Sequence, residues 1–345
     1  MITKVLFIGL GGIGQRHLRN ILKLRPDIQI YALRQRREQI VLDDKLHCIE
    51  GETLESKYNI HTVTTIKEAE KAGVNTVFIC TPSSMHIDYA IQCISLGWNT
   101  FVEKPLSHNM DRANELADIL KNNYCQTTMI GFQNRFHPCI KKAKSFLEQN
   151  LLGDICYVNA EIGENVTKWH PYEDYRRMYA CKSELGGGVV LSQIHELDYL
   201  YSFFGLPETI YASGGKLSDL EMDVEDVADI LMQFSLSSKK VPVHIHEDYL
   251  QIPASRKCKI QGTKGLLMFD LLTSVINVYD MQGQNIYHEQ FSFDRNDMFV
   301  EELKNFIDSA ESRSSSLIPI EEGLSSLKIA VNAKISMKTG SVINL

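Results

Sequence analysis

The residues best suited to chemistry in this chain are Lys104 and His195, which lie in two distinctive local sequences. Lys104 belongs to Glu-Lys-Pro at 103–105 and directly follows an apolar stretch at 98–102 that predicts a strand. His195 comes shortly after the glycine triplet at 186–188. An ammonium and an imidazole can both take or give a hydroxyl proton, as alcohol oxidation and carbonyl reduction require. We therefore predict that both residues are catalytic.

The start of the chain carries a glycine pattern that predicts a dinucleotide site. An apolar run at 4–8 leads straight into Gly-x-Gly-x-x-Gly. When this pattern follows a strand and opens a helix, the glycines let the backbone approach a pyrophosphate, which free N–H groups at the helix start then bind. We predict that the cofactor contacts five residues of this turn, Gly9, Gly11, Gly12, Ile13 and Gly14. The alternative is a tight strand-to-helix turn with no ligand.

The choice of dinucleotide depends on the residue at the end of the second strand. NAD enzymes usually place an acid there for the ribose 2′-hydroxyl, whereas an arginine accommodates a 2′-phosphate. This chain has Arg34 at that point, with Arg36 and Arg37 behind it. Guanidinium groups pair well with phosphate oxygens. We predict that NADP is preferred and that NAD is the alternative cofactor; these arginines could instead form only a solvated, basic helix start.

Strand and helix patterns alternate over the first 130 residues and predict a doubly wound parallel sheet, in which ligands bind at the carboxyl ends of the strands. The predicted strands are 3–9, 28–33, 60–63, 75–80, 98–102 and 127–132, and the predicted helices are 12–24, 66–72, 84–96 and 109–122. The charged run 34–50 fits neither pattern clearly.

Beyond about residue 150 the pattern changes to long strands without helices between them, which predicts a mostly antiparallel sheet with one open face. These strands are 155–162, 227–235, 241–250, 256–262, 265–270 and 275–280, and helices are predicted at 189–204, 297–311 and 320–337. We predict an α/β fold with a Rossmann domain over 1–130. An α+β domain for substrate binding and oligomerisation would follow over 131–345.

Composition excludes several classes of partner. The chain has 345 residues and a formal net charge of −7, and no basic run with interleaved aromatics, so nucleic acid and anionic membranes are poor partners. No apolar run of about 18 residues would span a membrane, and the amino terminus lacks the features of a signal peptide. Eight scattered cysteines fit reduced thiols in a cytoplasmic protein. His244 and His246 share one face of a strand, but no third ligand is evident, so no metal site is predicted.

Taken in order, the motifs resemble those of the Gfo/Idh/MocA family of NAD(P)-dependent sugar oxidoreductases. They are the glycine turn, Thr-Pro-x-x-x-His at 81–86, Glu-Lys-Pro at 103–105, Gly-Phe-x-x-Arg-Phe at 131–136 and Gly-Gly-Gly…His-x-x-Asp ending at Asp198. The resemblance implies a Rossmann half that binds the cofactor, an open-faced sheet in the second half, and a homodimer or homotetramer formed through that sheet.

The resemblance also implies roles for individual residues. Thr81 and Pro82 would line the nicotinamide side of the cofactor, Glu103 would contact the nicotinamide ribose, and Lys104 would lie beside the nicotinamide. His86 is predicted at the cofactor, with a local role at the helix start as the alternative. His195 would be the acid or base. Many members carry an aspartate three or four residues before this histidine, where the chain has Leu191 and Ser192. The division of proton transfer between Lys104 and His195 therefore stays open.

Substrate contacts are predicted from two further segments and from the helix that follows His195. Aromatic faces and guanidinium donors bind sugar rings, hydroxyls or an anionic group, and for each residue the alternative is a packed loop over the domain interface. The predicted substrate residues are Asn134, Arg135, Trp169, Tyr175, Arg176 and Asp198.

We predict an NADP(H)-dependent oxidoreductase that acts on a carbohydrate. The Trp-His-Pro segment at 169–171 is similar to members from bacterial surface-glycan pathways, which favours a modified or nucleotide-linked sugar. One alternative is an epimerase or glycosidase-like enzyme that retains NAD(P) and makes no net redox change. Another is a non-catalytic regulator that senses dinucleotides, although the presence of both Lys104 and His195 argues against it.

Overall fold

The computed structural model describes residues 2–34, 40–122 and 126–345. The amino-terminal half contains the strands β1 (Lys4–Ile8), β2 (Gln29–Leu33), β3 (Val41–Leu42), β4 (Cys48–Ile49), β5 (His61–Val63), β6 (Thr76–Ile79), β7 (Asn99–Glu103) and β8 (Thr128–Gly131). Between them lie the helices α1 (Gly12–Leu24), α2 (Leu54–Tyr58), α3 (Ile66–Lys71), α4 (His86–Ser95) and α5 (Ala113–Lys121).

Six of these strands form one parallel sheet in the order β5-β2-β1-β6-β7-β8. The strand order reverses beside β1, so the carboxyl ends of β1 and β6 open onto a crevice where such sheets bind ligands. β3 and β4 form a separate short hairpin within the charged run that sequence patterns leave undecided. The helix α1 buries Leu18 and Ile21 against the sheet, which holds its first turn at the crevice.

The carboxyl-terminal half contains the strands β9 (Ile155–Gly163), β10 (Thr209–Gly215), β11 (Val227–Leu236), β12 (Lys239–Asp248), β13 (Ser255–Gly262), β14 (Gly265–Asp270), β15 (Val275–Asp280), β16 (Asn285–Gln290) and β17 (Ile343–Asn344). Its helices are α6 (Pro138–Glu148), α7 (Val189–Ser192), α8 (His195–Phe204), α9 (Arg295–Ser312) and α10 (Ile320–Thr339). The nine strands form one sheet in the order β16-β15-β14-β13-β9-β12-β11-β10-β17, in which only the β12–β9 pair is parallel.

One face of this large sheet is covered by helices and the other is open. A register row crosses the open face, because directly paired residues on neighbouring strands point to the same side. The row consists of Tyr211, Leu231, His244, Asn159, Lys259, Met268, Asn277 and His288. Tyr211, Leu231 and Met268 are each between 41% and 48% exposed. The predicted fold class, a Rossmann sheet joined to a mostly antiparallel open-faced sheet, is confirmed.

The last part of the chain returns to the first sheet and joins the two halves. The backbone N–H of Ile130 in β8 donates to the Ile318 carbonyl at 2.9 Å, and the Ser316 hydroxyl donates to the Thr128 carbonyl at 2.6 Å. α9 packs against α1. The predicted domain boundary between residues 130 and 131 stays a prediction. In the described residues, no helix is long and apolar enough to cross a membrane.

The predicted helix over 189–204 is wrong in one respect, because the chain divides it into α7 and α8. The break falls at Gln193 and Ile194, so His195 is the first residue of α8 rather than a mid-helix residue. Two tertiary hydrogen bonds lie at the break: Lys104 Nζ donates to the Ser192 carbonyl at 2.6 Å, and Gln193 Nε2 donates to the Asp248 carbonyl at 3.1 Å.

Candidate active site

The glycine turn between β1 and α1 has the geometry that its sequence pattern predicts. Gly9 has φ +92°, and a Cβ there would lie 2.5 Å from the Cys80 carbonyl oxygen. A Cβ on Gly14 would lie 2.4 Å from the Gly9 carbonyl oxygen. Both contacts are too short for any side chain. The turn therefore requires glycine at these positions to bring the start of α1 against the end of β6.

The first turn of α1 is free to bind an anion. Its N-cap residue, Gly11, supplies no side-chain hydrogen bond, and nothing lies within 4 Å of the point where a Cβ on Gly11 would be. The first N–H groups of a helix have no intrahelical acceptor, and the helix dipole favours negative charge there. Gly12 and Ile13 begin the helix at this point. The turn therefore fits the pyrophosphate of a dinucleotide.

Arg34 lies directly after β2, where the ribose-binding residue of a Rossmann fold is expected. Its N–H donates to the Val63 carbonyl at 3.1 Å, and its guanidinium lies 3.1 Å from Glu55 Oε1 on α2. The structure therefore brings a carboxylate next to the arginine, which the sequence pattern does not predict. Arg36 and Arg37 lie outside the described residues.

The Thr-Pro loop after β6 is tied to the Glu-Lys-Pro turn by His86. The imidazole Nε2 lies 2.7 Å from the Thr81 carbonyl and Nδ1 lies 2.7 Å from the Pro105 carbonyl. Desolvation lowers the pKa of His86, which is 1% exposed. A neutral imidazole carries one N–H and donates to one of these carbonyls, and the two contacts together give His86 a positioning role. Thr81 Oγ1 is buried with no hydrogen-bond partner among the described residues, so a cofactor amide beside Pro82 would find a hydroxyl there.

Glu103 ends β7 and is 5% exposed. Its Oε1 lies 2.6 Å from Nε2 of His17 on α1, and its Oε2 accepts the backbone N–H of Lys104 at 3.2 Å. Glu103 thus connects the cofactor-binding helix to the lysine turn. The predicted contact of Glu103 with the nicotinamide ribose stays a prediction. His17 could not be identified from sequence, since nothing in its local pattern marks a partner 86 residues away.

Lys104 and His195 are brought together at the junction of the two sheets. Lys104 Nζ donates to the Ser192 carbonyl at 2.6 Å, in the turn that leads to His195. The ammonium is close enough to His195 for its charge to contribute to a lowered imidazole pKa, after desolvation as the largest cause. The structure therefore gathers the two predicted proton-transfer groups in one place.

His195 is 4% exposed and is held by residues of the segment that directly follows β8. Its Nε2 lies 3.1 Å from Nε2 of Gln133, which follows β8, and its ring packs edge-on against Phe132. Because the Gln133 amide donates, Nε2 of the neutral imidazole accepts and Nδ1 carries the proton. His195 Nδ1 is buried without a partner among the described residues, so it offers an N–H donor to a ligand oxygen. Sequence reasoning missed Gln133, although it lies within a motif that the family shares.

Two of the predicted substrate residues bind each other. The Arg135 guanidinium donates to both carboxylate oxygens of Asp198, at 2.7 and 2.8 Å, and to Glu322 at 2.8 Å. Asp198 also accepts the Ser326 hydroxyl at 2.9 Å. This buried network joins the segment after β8 to α8 and α10, and it supports the helix that carries His195. A direct substrate contact of Arg135 or Asp198 stays a prediction.

The other predicted substrate residues have different environments. Asn134 is 5% exposed, and its side-chain Nδ2 has no partner among the described residues. The indole of Trp169 packs edge-on against Tyr249 at 5.2 Å between ring centroids. The Tyr175 hydroxyl accepts the Glu221 backbone N–H at 3.1 Å. Arg176 is exposed and bonds to Asp174 and Glu221 on the surface. Their contacts with substrate stay predictions.

The His244 and His246 side chains lie on one face of β12, as predicted. Nε2 of His244 and Nδ1 of His246 both lie 3.0 Å from Asp229 Oδ1, and Nε2 of His246 lies 3.2 Å from Asp248. These carboxylates raise the pKa of His246 to about 9. The described residues contain no group of three or more His, Cys, Asp or Glu residues that could hold a metal ion.

Two family profiles match the chain, one after the other. The profile of the Oxidoreductase family, NAD-binding Rossmann fold, matches residues 3–132, and that of the GFO/IDH/MocA C-terminal domain matches residues 140–268. Together the profiles cover most of the chain.

Known proteins match this chain over part or nearly all of its length. Oxidoreductase P35 of Formosa agariphila is 26% identical over 208 residues, which is 59% of this chain and 62%, less than two thirds, of the relative. Myo-inositol 2-dehydrogenase of Thermotoga maritima is 26% identical over 348 residues, 98% of this chain and 97% of the relative. The WlbA dehydrogenase from Bordetella pertussis, solved with NADH and UDP-GlcNAcA, superposes with a TM-score of 0.78 at 18% identity, over 100% of this chain and 99% of that one. This last similarity shows a shared fold.

The two matched profiles, the fold and the order of the site motifs lead to one assignment. The profile of the first half is that of an NAD-binding Rossmann fold, and the glycine turn has the matching geometry. The chain belongs to the Gfo/Idh/MocA family of oxidoreductases.

Proposed function

We propose that this protein is an NADP(H)-dependent oxidoreductase that transfers a hydride between the nicotinamide and a carbohydrate. The observation that carries the proposal is the approach of Lys104 to the turn before His195, through the 2.6 Å hydrogen bond to the Ser192 carbonyl. Alcohol oxidation needs a group beside the hydride acceptor that takes the hydroxyl proton. Here the Lys104 side chain and the His195 imidazole, which can both exchange or hold a proton, meet next to the Glu-Lys-Pro turn. The nicotinamide, when bound, supplies or accepts the hydride.

The chain's own groups have complementary parts in proton transfer. In the direction of carbonyl reduction, the Lys104 ammonium gives a proton to the developing alkoxide, while the Nδ1–H of neutral His195 holds the same oxygen. In the direction of oxidation, the neutral Lys104 amine takes the proton from the hydroxyl while His195 Nδ1–H again holds the oxygen, as microscopic reversibility requires. The lowered pKa of His195 supports a neutral imidazole that acts as a hydrogen-bond donor. Ser192 gives it no carboxylate partner, so Lys104 carries more of the transfer.

We infer that the substrate is a modified or nucleotide-linked sugar, with a role in bacterial surface-glycan biosynthesis. The buried Asn134 Nδ2 is a donor that a sugar oxygen would satisfy. The aromatic segment that begins at Trp169 offers flat faces for a ring. Among similar proteins, one is an inositol dehydrogenase and another was solved with a uridine-diphosphate sugar acid, which supports polyhydroxylated substrates as the class.

NADP is proposed as the preferred cofactor because Arg34 occupies the position of the ribose-binding acid. The cofactor of the WlbA structure is NADH, so the preference rests on this chain's own residues. We also propose that the protein works in the cytoplasm as a homodimer or homotetramer formed through the open sheet face. Supporting observations are the free thiols of the seven cysteines in the described ranges and the exposed apolar side chains of Tyr211, Leu231 and Met268.

The decisive experiment is a panel of sugars, inositols and nucleotide sugars offered with NADP or NADPH. Hydride transfer is followed by the absorbance of the reduced nicotinamide. We expect at least one substrate to be turned over by the unaltered protein, and Lys104→Ala to lose this activity while it still binds cofactor. Tight dinucleotide binding without any turnover across the panel would favour the dinucleotide-sensing regulator instead.

A further inference from the structure

The segment 169–178 of the second half reaches across to the glycine turn of the first half. A Cβ added at Gly12 would lie 2.8 Å from the Tyr172 hydroxyl oxygen and 3.7 Å from a methyl carbon of Leu46. The phenol of Tyr172 therefore lies beside the first residue of α1, where the helix N–H groups have no intrahelical acceptor. Tyr172 is not among the residues predicted to bind cofactor or substrate.

The segment is anchored on both sides of Tyr172. On one side the Trp169 indole packs against the buried Tyr249 ring. On the other side the Tyr175 hydroxyl accepts the Glu221 N–H at 3.1 Å, and Met178 is 2% exposed. Because both ends are fixed to the second half, the tip of the segment is held over the glycine turn.

The tip itself is ordered by local contacts. The ring of Tyr172 stacks on His170 with 5.1 Å between centroids and 16° between planes. His170 Nδ1 lies 2.6 Å from Glu173 Oε1. Desolvation, followed by the charge of the nearby Glu173 carboxylate and a hydrogen bond to it, raises the pKa of Tyr172, so its hydroxyl keeps its proton and acts as a hydrogen-bond donor.

We propose that Tyr172 is a cofactor-binding residue whose hydroxyl donates a hydrogen bond to the pyrophosphate of the bound dinucleotide. The pyrophosphate lies beside the phenol and contacts both its hydroxyl and the free N–H groups of α1. The segment 169–178 forms the outer wall of the cofactor site and slows release of the dinucleotide. This inference rests on the proposed function only in requiring that a dinucleotide binds at the glycine turn.

The test compares the full-length protein with Tyr172→Phe, which removes one oxygen atom and keeps the stacked ring. Dissociation constants for NADPH, NADH and ADP are measured by calorimetry, and NADPH release is measured by stopped-flow fluorescence. We expect all three ligands to bind about 3- to 10-fold more weakly to the variant, since each carries a pyrophosphate. The release rate constant for NADPH should rise by a similar factor. The matched control is Tyr211→Phe on the open face of the large sheet, whose dissociation constants should be unchanged.

Two results would overturn the inference. Affinities within twofold of the unaltered protein would show that the hydroxyl does not contact the cofactor. Tighter binding to Tyr172→Phe would show that the phenol competes with the pyrophosphate for the helix N–H groups. If the unaltered protein binds none of the three ligands, the proposed function fails along with this inference. If the unaltered protein and Tyr172→Phe bind them with equal affinity, this inference fails and the proposed function stands.

Discussion

We expect cofactor preference in this protein to depend on a competition for the guanidinium of Arg34. In the structure one partner is Glu55, at 3.1 Å; the Glu55 side chain is 35% exposed, whereas the Arg34 side chain is 7% exposed. An ion pair with a solvent-accessible partner contributes about 0–1 kcal/mol. A hydrogen bond from a charged group to phosphate contributes about 1.5–3 kcal/mol. The 2′-phosphate of NADP should therefore displace Glu55, which leaves a net preference of about 1–2 kcal/mol, or roughly 5- to 30-fold in Kd.

Two substitutions test separately the contact of Arg34 with the 2′-phosphate and its ion pair with Glu55. Arg34→Gln removes the phosphate partner, so the Kd of NADPH should rise to that of NADH while the Kd of NADH changes little. Glu55→Gln removes the competitor, so NADPH should bind up to about 5-fold more tightly. The assay is calorimetry with both reduced cofactors at one ionic strength, because salt screens exposed charges.

Equal affinity of the unaltered protein for NADPH and NADH would show that Arg34 gives no preference for the 2′-phosphate. A second outcome would reverse the cofactor assignment: if Glu55→Gln binds NADH much more weakly and binds NADPH with unchanged affinity, Glu55 is the ribose-binding acid. The chain would then be an NAD enzyme whose acid is supplied by α2 instead of by the end of β2.

Three further predictions follow from the site and its supports. Lys104→Ala should lower the turnover number by about 100-fold or more and leave cofactor affinity within a few-fold, whereas His195→Asn should lower the turnover number less. Steady-state kinetics measure turnover and calorimetry measures cofactor affinity for both variants. Arg135→Met should lower the free energy of unfolding by about 3 kcal/mol, because it leaves the Asp198 carboxylate buried without its ion-pair partner; urea unfolding measures this, and an unchanged midpoint would contradict it. Burial, followed by the nearby Glu103 carboxylate, raises the pKa of Glu302 in α9. The folded protein therefore keeps a proton that the unfolded chain releases above about pH 4.3. The free energy of unfolding then falls as the pH rises toward the folded pKa. Between about pH 5 and pH 8, the melting temperature of Glu302→Gln should therefore decrease less than that of the unaltered protein. Identical melting temperatures as a function of pH would contradict a buried, protonated Glu302.

Local patterns predicted the parts of the fold that local forces determine. The glycine turn, the alternating first half and the long strands of the second half all follow from spacing and side-chain type. The helix α6 was missed although its signal is present: Pro138 stands at its first position, and Cys139, Ile140, Ala143 and Phe146 make one buried face. β10 was missed because it ends in Gly214-Gly215, which is atypical of a strand.

Long-range pairs are the part that local patterns cannot give. Glu103 lies 86 residues from His17, and Arg135 lies 63 residues from Asp198. Neither local sequence marks its partner, since the pairing depends on how the two sheets and the last two helices come together. The break between α7 and α8 likewise lies at a long-range contact, in which the Ser192 carbonyl accepts a hydrogen bond from a distant lysine ammonium. The long-range partners of the predicted site residues were thus not predictable from local sequence.

We propose that Lys104 and His195 face the reacting carbon of a nicotinamide. A crystal structure of the protein with bound NADPH would show this arrangement without any knowledge of the sugar. We expect the pyrophosphate to lie at the start of α1. We expect the nicotinamide to lie beside Pro82, with its hydride-bearing carbon turned toward Lys104 and His195 across a space large enough for one sugar ring. A nicotinamide that points away from both residues, or that is separated from them by packed protein, would show that these residues do not take part in hydride transfer.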